Sequence, residues 1–222
     1  MAPTSDTSAA YIERLATLGV LPGGVTDDSR QVRHGDLFLA YPGEHADGRR
    51  YIAEAIANGA AAVLWESTPG KDDAFVWQST WGVTNLPVPG LRALCGPLAH
   101  IVYGRPSERL PLLAVTGTNG KTSVSQWIAQ AHPRRCGVIG TLGAGVAGDL
   151  HETGFTTPGA ATLMRYLAEF SESGVQACAL EASSIGIAEG RLAGARVDVA
   201  AFTNLSRDHL DYHGTMEAYA QA

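Results

Sequence analysis

The sequence predicts an α/β protein built from two consecutive units, a small N-terminal α/β domain and a second domain with a parallel sheet. Three observations support this prediction. Short apolar segments typical of strands alternate with amphipathic segments typical of helices. The polar, proline-flanked stretch "RPSERLP" (105–111) separates two such series, which places a boundary near residue 108. After that boundary, "LLAVTGTNGKTSVSQW" (112–127) has the order strand, glycine-rich turn, helix.

The first unit, expected over 1–108, has the signals of a small α/β domain. Tyr11, Ile12, Leu15 and Leu18 recur at helical spacing, and the alanine-rich "YIAEAIANGA" is stopped by a glycine. Apolar runs such as "DLFLAY" predict strands. The expected elements are a helix over 8–18, a strand over 36–41, a helix over 51–60, a strand over 61–66, one or two strands in "FVWQS" and "WGVTNL", and a helix over 91–104.

The second unit, expected over 109–222, alternates strands and helices more regularly. The strand, turn and helix of 112–127 are followed by the strand "CGVIGTLG", the helix "PGAATLMRYLAEFSESG", and the strands "ACALEASS" and "RVDVAAFTNLS". Such alternation predicts a parallel sheet with helices on both faces. Ligands in such folds bind beyond the carboxyl ends of the strands, so the residues that follow each strand are the candidates for a site.

Composition limits the classes of function. The 222 residues carry a formal net charge of −6, which disfavours nucleic-acid binding because that function needs a basic surface to displace counterions. Three widely spaced cysteines form no CxxC pair and are predicted to be buried thiols. The N-terminus lacks a secretory pattern, and no apolar run approaches the ~20 residues of a membrane helix. We therefore expect a cytoplasmic protein with no membrane partner.

The glycine-rich turn has the features of a phosphate-binding loop with unusual spacing. The common G-x-x-x-x-G-K-[ST] pattern requires glycine at position 115, where this chain has Val115. N–H groups of such a turn and the positive end of the next helix suit phosphate oxygens. Lys121 would reach the β- and γ-phosphates of ATP and the Thr122 hydroxyl would bind Mg²⁺, whereas the alternative is an ordinary βα turn. The predicted nucleotide-binding residues are Gly117, Thr118, Asn119, Gly120, Lys121, Thr122 and Ser123.

Two more polar residues follow strands of the second unit. Glu181 ends the strand in "ACALEASS", where an acid can hold the magnesium ion of a phosphate loop. A buried glutamate is costly unless a cation or hydrogen bonds stabilise it, so this position is informative. His209 lies just beyond the strand in "VDVAAFTNLSRDHLDYHG". A surface glutamate and a structural histidine are the simpler alternatives.

The segments "GTNGKTS", "TTP", "EASS" and "TNLSRDHLDYHG", in this order, resemble the Mur ligases, ATP-dependent amino-acid ligases of peptidoglycan precursor synthesis. That family and the folylpolyglutamate synthases have the shortened G-x-x-G-K-T loop. The N-terminal segment "VTDDSRQVRHGDLFLAYPGEHADGRRYI" is most similar to members that add the third residue to UDP-N-acetylmuramoyl-L-alanyl-D-glutamate. The resemblance implies ATP and Mg²⁺ as cofactors, and that UDP-linked dipeptide and a diamino acid as partners. It also implies a monomeric full-length protein.

The resemblance implies roles for individual residues. The first unit would bind the UDP-linked substrate, and the second would be part of the ATP-binding central domain. Thr122 and Glu181 would hold one Mg²⁺ and His209 a second, with Lys121, Glu181 and His209 as the catalytic residues. The implied substrate-binding residues are Ser29, Glu44, His45 and Ala46 for the UDP portion, Thr156 and Thr157 for the peptide and sugar end, and Ser183 and Arg191.

Simpler roles stay open for three of these residues. Ser29 fits a turn, Thr157 before a proline fits a helix cap, and Arg191 fits a solvated surface charge. The chain also departs from many relatives, because Ile185 and Glu189 stand where those relatives have histidine and glutamine.

The implied reaction is phosphoryl transfer from ATP to the D-glutamyl carboxylate, which gives an acyl phosphate that the amine of a diamino acid then attacks. Meso-diaminopimelate is the expected amine, with lysine as the alternative. Family members continue through a third domain, and a carbamylated lysine is expected just beyond Ala222, so we expect this chain to be an inactive N-terminal fragment. Two alternatives stay open. Instead of taking part in ligation, the chain is a module that only binds the UDP-substrate and nucleotide; or, instead of a Mur ligase, it is part of a ligase of the folylpolyglutamate synthase type.

Overall fold

The computed structural model describes residues 5–43, 46–67 and 75–222 and confirms the α/β prediction. The chain divides into two compact units, 1–104 and 105–222. The predicted boundary at 108 lies slightly further along, because Pro106–Arg109 form a short helix that packs in the second unit. There the Ser107 hydroxyl accepts a hydrogen bond from the Arg196 N–H over 2.9 Å.

The first unit is a four-stranded parallel sheet with three helices among its described residues. The strands lie in the order β1-β2-β3-β4. The helix of 91–102 packs against the first helix and against the first three strands. Its elements, in chain order, are α1 (Ser5–Thr17), β1 (Val25–Thr26), a 3-10 turn (Ser29–Gln31), β2 (Leu37–Ala40), a 3-10 turn (Gly48–Tyr51), α2 (Ile52–Ala57), β3 (Ala62–Glu66), β4 (Thr84–Val88) and α3 (Leu91–Val102).

An aromatic cluster corrects one strand prediction in this unit. The segment "WGVTNL" leads into β4, but "FVWQS" forms no strand. Its rings pack instead around Trp65 of β3, with the Phe75 centroid 5.2 Å from that of Trp65. The rings of Trp77 and Trp81 meet edge to face at 4.9 Å. Burial of these large rings against one another, rather than ladder pairing, fixes this segment.

The second unit is a six-stranded mixed sheet with helices. Its strands lie in the order β10-β5-β9-β6-β7-β8. Its elements, in chain order, are α4 (Pro106–Arg109), β5 (Leu112–Thr116), α5 (Lys121–Ala131), β6 (Cys136–Gly140), β7 (Gly143–Val146), β8 (Asp149–His151), α6 (Ala160–Glu172), β9 (Ala177–Glu181), α7 (Ser184–Ala188), β10 (Val199–Phe202), α8 (Leu210–His213) and α9 (Met216–Gln221).

The expectation of a parallel sheet is correct for four of these strands and wrong for two. Strands β10, β5, β9 and β6 pair in parallel, whereas β7 pairs antiparallel with β6 and with β8. The sequence does not predict this hairpin because "GAGVAGDLH" (143–151) is rich in glycine and has only one of the β-branched residues that mark strands. At the other end of the sheet, β10 is an edge strand with Val199 and Phe202 exposed.

Helices cover both faces of this sheet, as predicted. Val138 of β6 packs with Ala129 of α5 in one core cluster. Its neighbour Gly137 points to the opposite face, since successive residues of a strand alternate. On that face the ring of Phe170 in α6 lies so close that a Cβ at Gly137 would stand 2.5 Å from it. The α5 and α6 helices therefore enclose the parallel part of the sheet.

The cysteine prediction is confirmed, since Cys95, Cys136 and Cys178 are all buried free thiols. Burial raises the pKa of the Cys136 and Cys178 thiols, which makes them poor nucleophiles. Across the described ranges, no helix is both long and apolar enough to span a membrane.

A charged pair holds the chain at the start of the second 3-10 turn. The Arg49 side chain is 8% exposed and donates from Nη2 to Asp47 Oδ2 over 2.9 Å and from Nε to Oδ1 over 3.0 Å. The Arg49 guanidinium also lies over the Phe75 ring at 5.1 Å. These hydrogen bonds lower the pKa of the Asp47 carboxyl group.

We predict that Asp47→Asn flattens the acid dependence of the first unit's stability. A carboxylate with a lowered folded-state pKa contributes stability above its unfolded pKa, and that stability is lost as the pH falls through the lowered folded value. Urea unfolding followed by tryptophan fluorescence of the aromatic cluster measures this. The variant should be less stable than the wild type at pH 7, with a smaller further loss at low pH. Asp149→Asn, at an exposed carboxylate of the second unit, is the control and should behave as the wild type.

Candidate functional site

The carboxyl ends of the parallel strands in the second unit surround an open cavity of about 550 Å³. The turn after β5, the residue after β6, the end of β9 and the loop after β10 all reach it. This is the edge where α/β sheets bind ligands. The predicted site residues that line it are Thr118, Asn119, Gly120, Lys121, Thr122, Thr156, Thr157, Glu181, Ser183, Arg191 and His209.

Glu181 is a buried acid that hydrogen bonds hold in place. It ends β9 and is fully buried, at 0% exposure. Its Oε1 accepts a hydrogen bond from the Thr141 N–H over 3.1 Å. Its Oε2 accepts one from the Thr122 hydroxyl over 2.9 Å and one from the Thr141 hydroxyl over 3.1 Å. Three donors thus offset the cost of burying the carboxylate.

The backbone of β6 leaves no spare room beside this carboxylate. A Cβ at Gly140 would stand 2.1 Å from Glu181 Oε1 and 2.6 Å from its Cδ. Only a glycine lets the end of β6 approach the carboxylate so closely. The segment "GVIGTLG" therefore contacts Glu181 directly: Gly140 leaves room for the carboxylate, and Thr141 donates hydrogen bonds to it.

Lys121 begins α5 and lies beside the glycine-rich turn. Its Nζ donates hydrogen bonds to the carbonyl groups of Gly117 and Thr118, over 2.7 and 3.0 Å. The first main-chain bond of the helix runs from the Val124 N–H to the Gly120 carbonyl, over 2.9 Å. The N–H groups of 120–123 therefore have no intrahelical acceptor. Together with the ammonium group, they form an electropositive end that suits phosphate.

The first half of the turn is less available for a ligand than the sequence predicts. The Thr118 N–H donates to the Asn204 carbonyl over 2.8 Å, and the Asn119 N–H donates to Asn204 Oδ1 over 3.2 Å. Gly117, at φ 123°, lies against Thr203, whose Oγ1 would be 2.2 Å from a Cβ. These contacts fix the shape of the turn. They place the free N–H donors on Gly120 and the residues after it.

The residues around Glu181 fit a magnesium ion. Mg²⁺ prefers oxygen ligands, and it commonly takes only one or two from the protein and the rest from phosphates and water. Glu181 and the Thr122 hydroxyl supply such oxygens beside the phosphate-binding end of α5. Over the described part of the chain, no group of three His, Cys, Asp or Glu residues forms a complete metal site. The donor set therefore fits an ion shared with a phosphate ligand.

His209 lines the same cavity in a strained backbone conformation. Its φ of 52° lies in the left-handed region, which is uncommon for a residue other than glycine. Its N–H donates to Asp208 Oδ1 over 2.8 Å, and its ring meets that of Tyr219 edge to face at 5.9 Å. The structure thus places His209 near the other site residues, and its role as a ligand of a second metal stays a prediction.

The two predicted threonines of "TTP" differ in whether their side chains are available to contact a ligand. Thr157 is fully buried, and its hydroxyl donates to the Glu181 carbonyl over 2.7 Å while accepting from the Ser183 N–H over 3.0 Å. Its side chain is therefore committed inside the protein. Thr156 is half-buried at the cavity, with its hydroxyl 3.0 Å from that of Thr141. A contact from this motif to a ligand would use the Thr156 side chain.

Ser183 and Arg191 both line the cavity, and both hydrogen-bond to Thr157. The Ser183 hydroxyl caps α7 by accepting from the Gly186 N–H over 3.1 Å. Arg191 Nη1 donates to the Thr157 carbonyl over 2.8 Å, and its Nε donates to Glu189 Oε2 over 2.6 Å. Arg191 is thus held in the cavity wall rather than extended into solvent, and its positive charge is partly offset by Glu189.

In the first unit, Ser29 and Ala46 are the predicted residues that the structure describes. Ser29 is 5% exposed and its hydroxyl donates to Glu54 Oε2 over 2.7 Å. Its carbonyl accepts from Asn58 Nδ2 over 2.9 Å. Ala46 is exposed. Glu44 and His45 lie outside the described residues. The predicted UDP contacts of this unit stay predictions.

Sequence reasoning missed three contributors to the site. Thr141 follows strand β6 directly, and its position at a strand end was the available signal. Asn204 orders the turn from the end of β10. The Tyr219 hydroxyl lies 2.9 Å from that of Thr118, a contact between distant residues that has no local sequence signature.

Chemically, the cavity combines a polyanion-binding end with a carboxylate–hydroxyl pair and a held arginine. This combination suits a nucleoside polyphosphate and a divalent cation beside a second anionic group. The hydroxyl of Thr122 is engaged with the Glu181 carboxylate and that of Ser183 with Thr157. The arrangement suits group transfer between bound substrates that these groups align.

Both units of the chain are similar to known proteins. Residues 115–222 match the Mur ligase middle domain, and residues 23–103 match the domain described as "Mur ligase family, catalytic domain". The chain is 50% identical over 210 residues to the UDP-N-acetylmuramoyl-L-alanyl-D-glutamate–2,6-diaminopimelate ligase of Ectopseudomonas mendocina. It is 46% identical over 211 residues to the ligase of the same name from Chromobacterium violaceum. These alignments include 93% and 94% of the chain but only 42% of each relative.

Solved structures give the same grouping. The structure of a UDP-N-acetylmuramoyl-L-alanyl-D-glutamate–2,6-diaminopimelate ligase superposes with a TM-score of 0.70 at 35% identity, over 90% of this chain and 39% of that one. The MurF ligase from Thermotoga maritima, in complex with ADP, superposes with a TM-score of 0.57 at 23% identity, over 91% of this chain and 42% of that one. The second similarity supports the fold alone.

We predict that Gly140→Ala disrupts the carboxylate centre. The added methyl group would overlap Glu181, which three hydrogen bonds hold in place, so the free energy of unfolding should fall by about 1–3 kcal/mol. Gly159→Ala is the matched control, because a Cβ there meets nothing within 4 Å. That control should change stability by less than about 0.5 kcal/mol. Urea unfolding followed by circular dichroism measures both, and equal stability of the two variants would contradict the packing at Gly140.

Proposed function

This chain belongs to the Mur ligase family, and we propose that its second unit binds ATP with Mg²⁺ while its first unit binds the UDP portion of a muramyl peptide. The observation that carries the proposal is the pairing of Thr122 with Glu181 at the start of α5. One carboxylate and one hydroxyl meet there beside Lys121 and the free N–H groups of 120–123. A nucleoside triphosphate and its metal need this combination.

Arg191 supports an anionic substrate in the same cavity. Its guanidinium is held by the Thr157 carbonyl and by Glu189, with its side chain at the cavity wall. Guanidinium groups suit carboxylates and phosphates. We propose that Arg191, Ser183 and Thr156 bind the peptide and sugar end of the muramyl substrate.

The proposed reaction is activation of a carboxylate by phosphoryl transfer. A carboxylate does not react with an amine at neutral pH because oxide is a poor leaving group, whereas an acyl phosphate loses phosphate. Lys121 would stabilise negative charge on the transferred phosphoryl oxygens, and the end of α5 would align the phosphates. Glu181 and Thr122 would hold Mg²⁺, with His209 proposed for a second ion, and bound Mg²⁺ supplies further charge neutralisation.

The identity of the whole reaction comes from the relatives. Their names state that they join 2,6-diaminopimelate to UDP-N-acetylmuramoyl-L-alanyl-D-glutamate. We propose the same substrates for the full-length protein to which this chain corresponds, with ATP as the energy source. Because the chain spans about two fifths of the length of these relatives, we propose binding of the UDP-substrate and nucleotide as its own activity.

We predict that Lys121→Ala weakens binding of Mg²⁺-ATP by about 10- to 100-fold, the loss expected for a charge-assisted contact. Isothermal titration calorimetry measures this directly. Arg134→Ala is the matched control, since Arg134 is an exposed cation beyond the other end of α5. Equal affinities of the two variants would mean that Lys121 does not contact the nucleotide.

We also predict that the chain binds UDP-N-acetylmuramoyl-L-alanyl-D-glutamate and has no measurable affinity for a folate. Calorimetry with both ligands distinguishes the proposal from a ligase of the folylpolyglutamate type, which tight folate binding alone would support. Phosphate release is then measured with substrate, ATP and diaminopimelate present. Release at the rate of a full-length relative would mean that the chain catalyses the reaction and is more than a binding module.

A further inference from the structure

Four side chains around the cavity form one continuous chain of hydrogen bonds. The Thr156 hydroxyl lies 3.0 Å from the Thr141 hydroxyl. Thr141 donates to Glu181 Oε2 over 3.1 Å, and Thr122 donates to the same oxygen over 2.9 Å. The chain therefore runs from Thr156 through Thr141 to Glu181 and ends at Thr122. Thr141 is the link between a proposed substrate contact and the proposed metal site.

The direction of each bond follows from proton counting. The Glu181 carboxylate is surrounded by donors and can only accept. The single hydroxyl proton of Thr141 must therefore point to Glu181. The Thr141 oxygen is then an acceptor towards Thr156, so the proton of Thr156 must point to Thr141. The proton of Thr122 is likewise committed to Glu181.

We infer that Thr141 is a positioning residue that fixes the Glu181 carboxylate and orients the hydroxyl groups at both ends of this chain. The inference rests on the proposed function. Both terminal residues, Thr122 and Thr156, line the cavity. With their protons committed to the chain, their oxygens present lone pairs only. A Thr122 oxygen so oriented suits a divalent cation, and a Thr156 oxygen so oriented accepts from an N–H or O–H group of the substrate.

This orientation divides the cavity by ligand chemistry. Arg191, Lys121 and the end of α5 bring positive charge and donors, which suit phosphate and carboxylate. Thr156 cannot donate to such anions while its proton is held by Thr141. It therefore selects a donor group, such as an amide N–H of the muramyl peptide. Thr141→Val leaves Glu181 two of its three donors, the Thr122 hydroxyl and the N–H of residue 141, so the fold should be retained with reduced stability.

The test compares Thr141→Val with Thr141→Ser. Valine keeps the branched shape and removes the hydroxyl group, whereas serine keeps the hydroxyl. Affinity for ATP is measured by calorimetry with excess Mg²⁺ and again in EDTA. We expect Thr141→Val to bind Mg²⁺-ATP about 10-fold more weakly, the lower end of the loss seen when a partner of a metal ligand is removed. Metal-free ATP binding should stay within about twofold of the wild type, and Thr141→Ser should restore metal-dependent binding.

Thr17→Val is the matched control for the loss of a threonine hydroxyl. Thr17 donates only to the Arg14 carbonyl at the exposed end of α1, in the other unit. The Thr17→Val variant should bind ATP as the wild type does, both with excess Mg²⁺ and in EDTA. Unchanged Mg²⁺-ATP affinity in Thr141→Val would overturn the inference. So would an equal loss with and without Mg²⁺, because that pattern indicates general damage to the nucleotide site.

A second single variant tests the Thr156 end of the hydrogen-bond chain, and this test does not require Thr141→Val to fold. Thr156→Val removes the hydroxyl that donates to Thr141. The Thr141 hydroxyl is then less polarised and donates more weakly to Glu181, which should weaken Mg²⁺-ATP binding by a factor of about 2. In the double variant the two losses should be less than additive, since both act through Glu181. Full additivity, or no effect of Thr156→Val on metal-dependent binding, would overturn the inference.

Failure of this inference can be distinguished from failure of the proposed function. If wild-type protein shows no Mg²⁺-dependent binding of ATP, the proposed function fails and the inference falls with it. If the wild type binds Mg²⁺-ATP and Lys121→Ala does not, while Thr141→Val binds normally, only the role of Thr141 is wrong.

Discussion

The Glu181 carboxylate lies at the end of a central strand with no exposed surface, and this burial constrains everything around it. Removing a carboxylate from water costs several kcal/mol unless donors or a cation replace its hydration. The protein supplies donors from two other elements, the start of α5 through Thr122 and the residue after β6 through Thr141. The same oxygens are the ones that a divalent cation would use. One set of atoms would therefore meet both the stability requirement and the proposed binding requirement.

The parallel sheet makes this arrangement possible. Strands β5, β9 and β6 are neighbours and run in the same direction, so the residues that follow them emerge side by side. The end of β6 must approach the carboxylate closely, which Gly140 permits because a Cβ there would overlap Glu181. On the other side of β5, strand β10 brings Thr203 and Asn204 against the glycine-rich turn. Position along the sheet, rather than separation along the sequence, decides which residues meet.

Because position in the sheet decides which residues meet, the sequence predicts the features that have local signatures and misses those that depend on distant contacts. The strand–turn–helix of 112–127 and the strand-end position of Glu181 have local signatures, and both were predicted. The hairpin of β7 and β8 has no such signature, because glycine-rich strands lack the usual apolar alternation. The "FVWQS" segment has the composition of a strand, yet its rings are packed around Trp65. The Thr141 chain and the engaged N–H groups of the turn depend on contacts between distant residues, which periodicity cannot reveal.

The shortened loop would change how a bound phosphate is stabilised. A longer loop would offer more N–H groups to its ligand, but here the Thr118 and Asn119 N–H groups donate to Asn204. That use fixes the turn and leaves the N–H groups from Gly120 onward as the electropositive end. In the proposed function, with fewer main-chain donors, Lys121 and a cation at Glu181 and Thr122 would neutralise more of the charge on a bound triphosphate. The orientation of the Glu181 carboxylate, which the Thr141 N–H and hydroxyl help to fix, would then decide how such a cation is held.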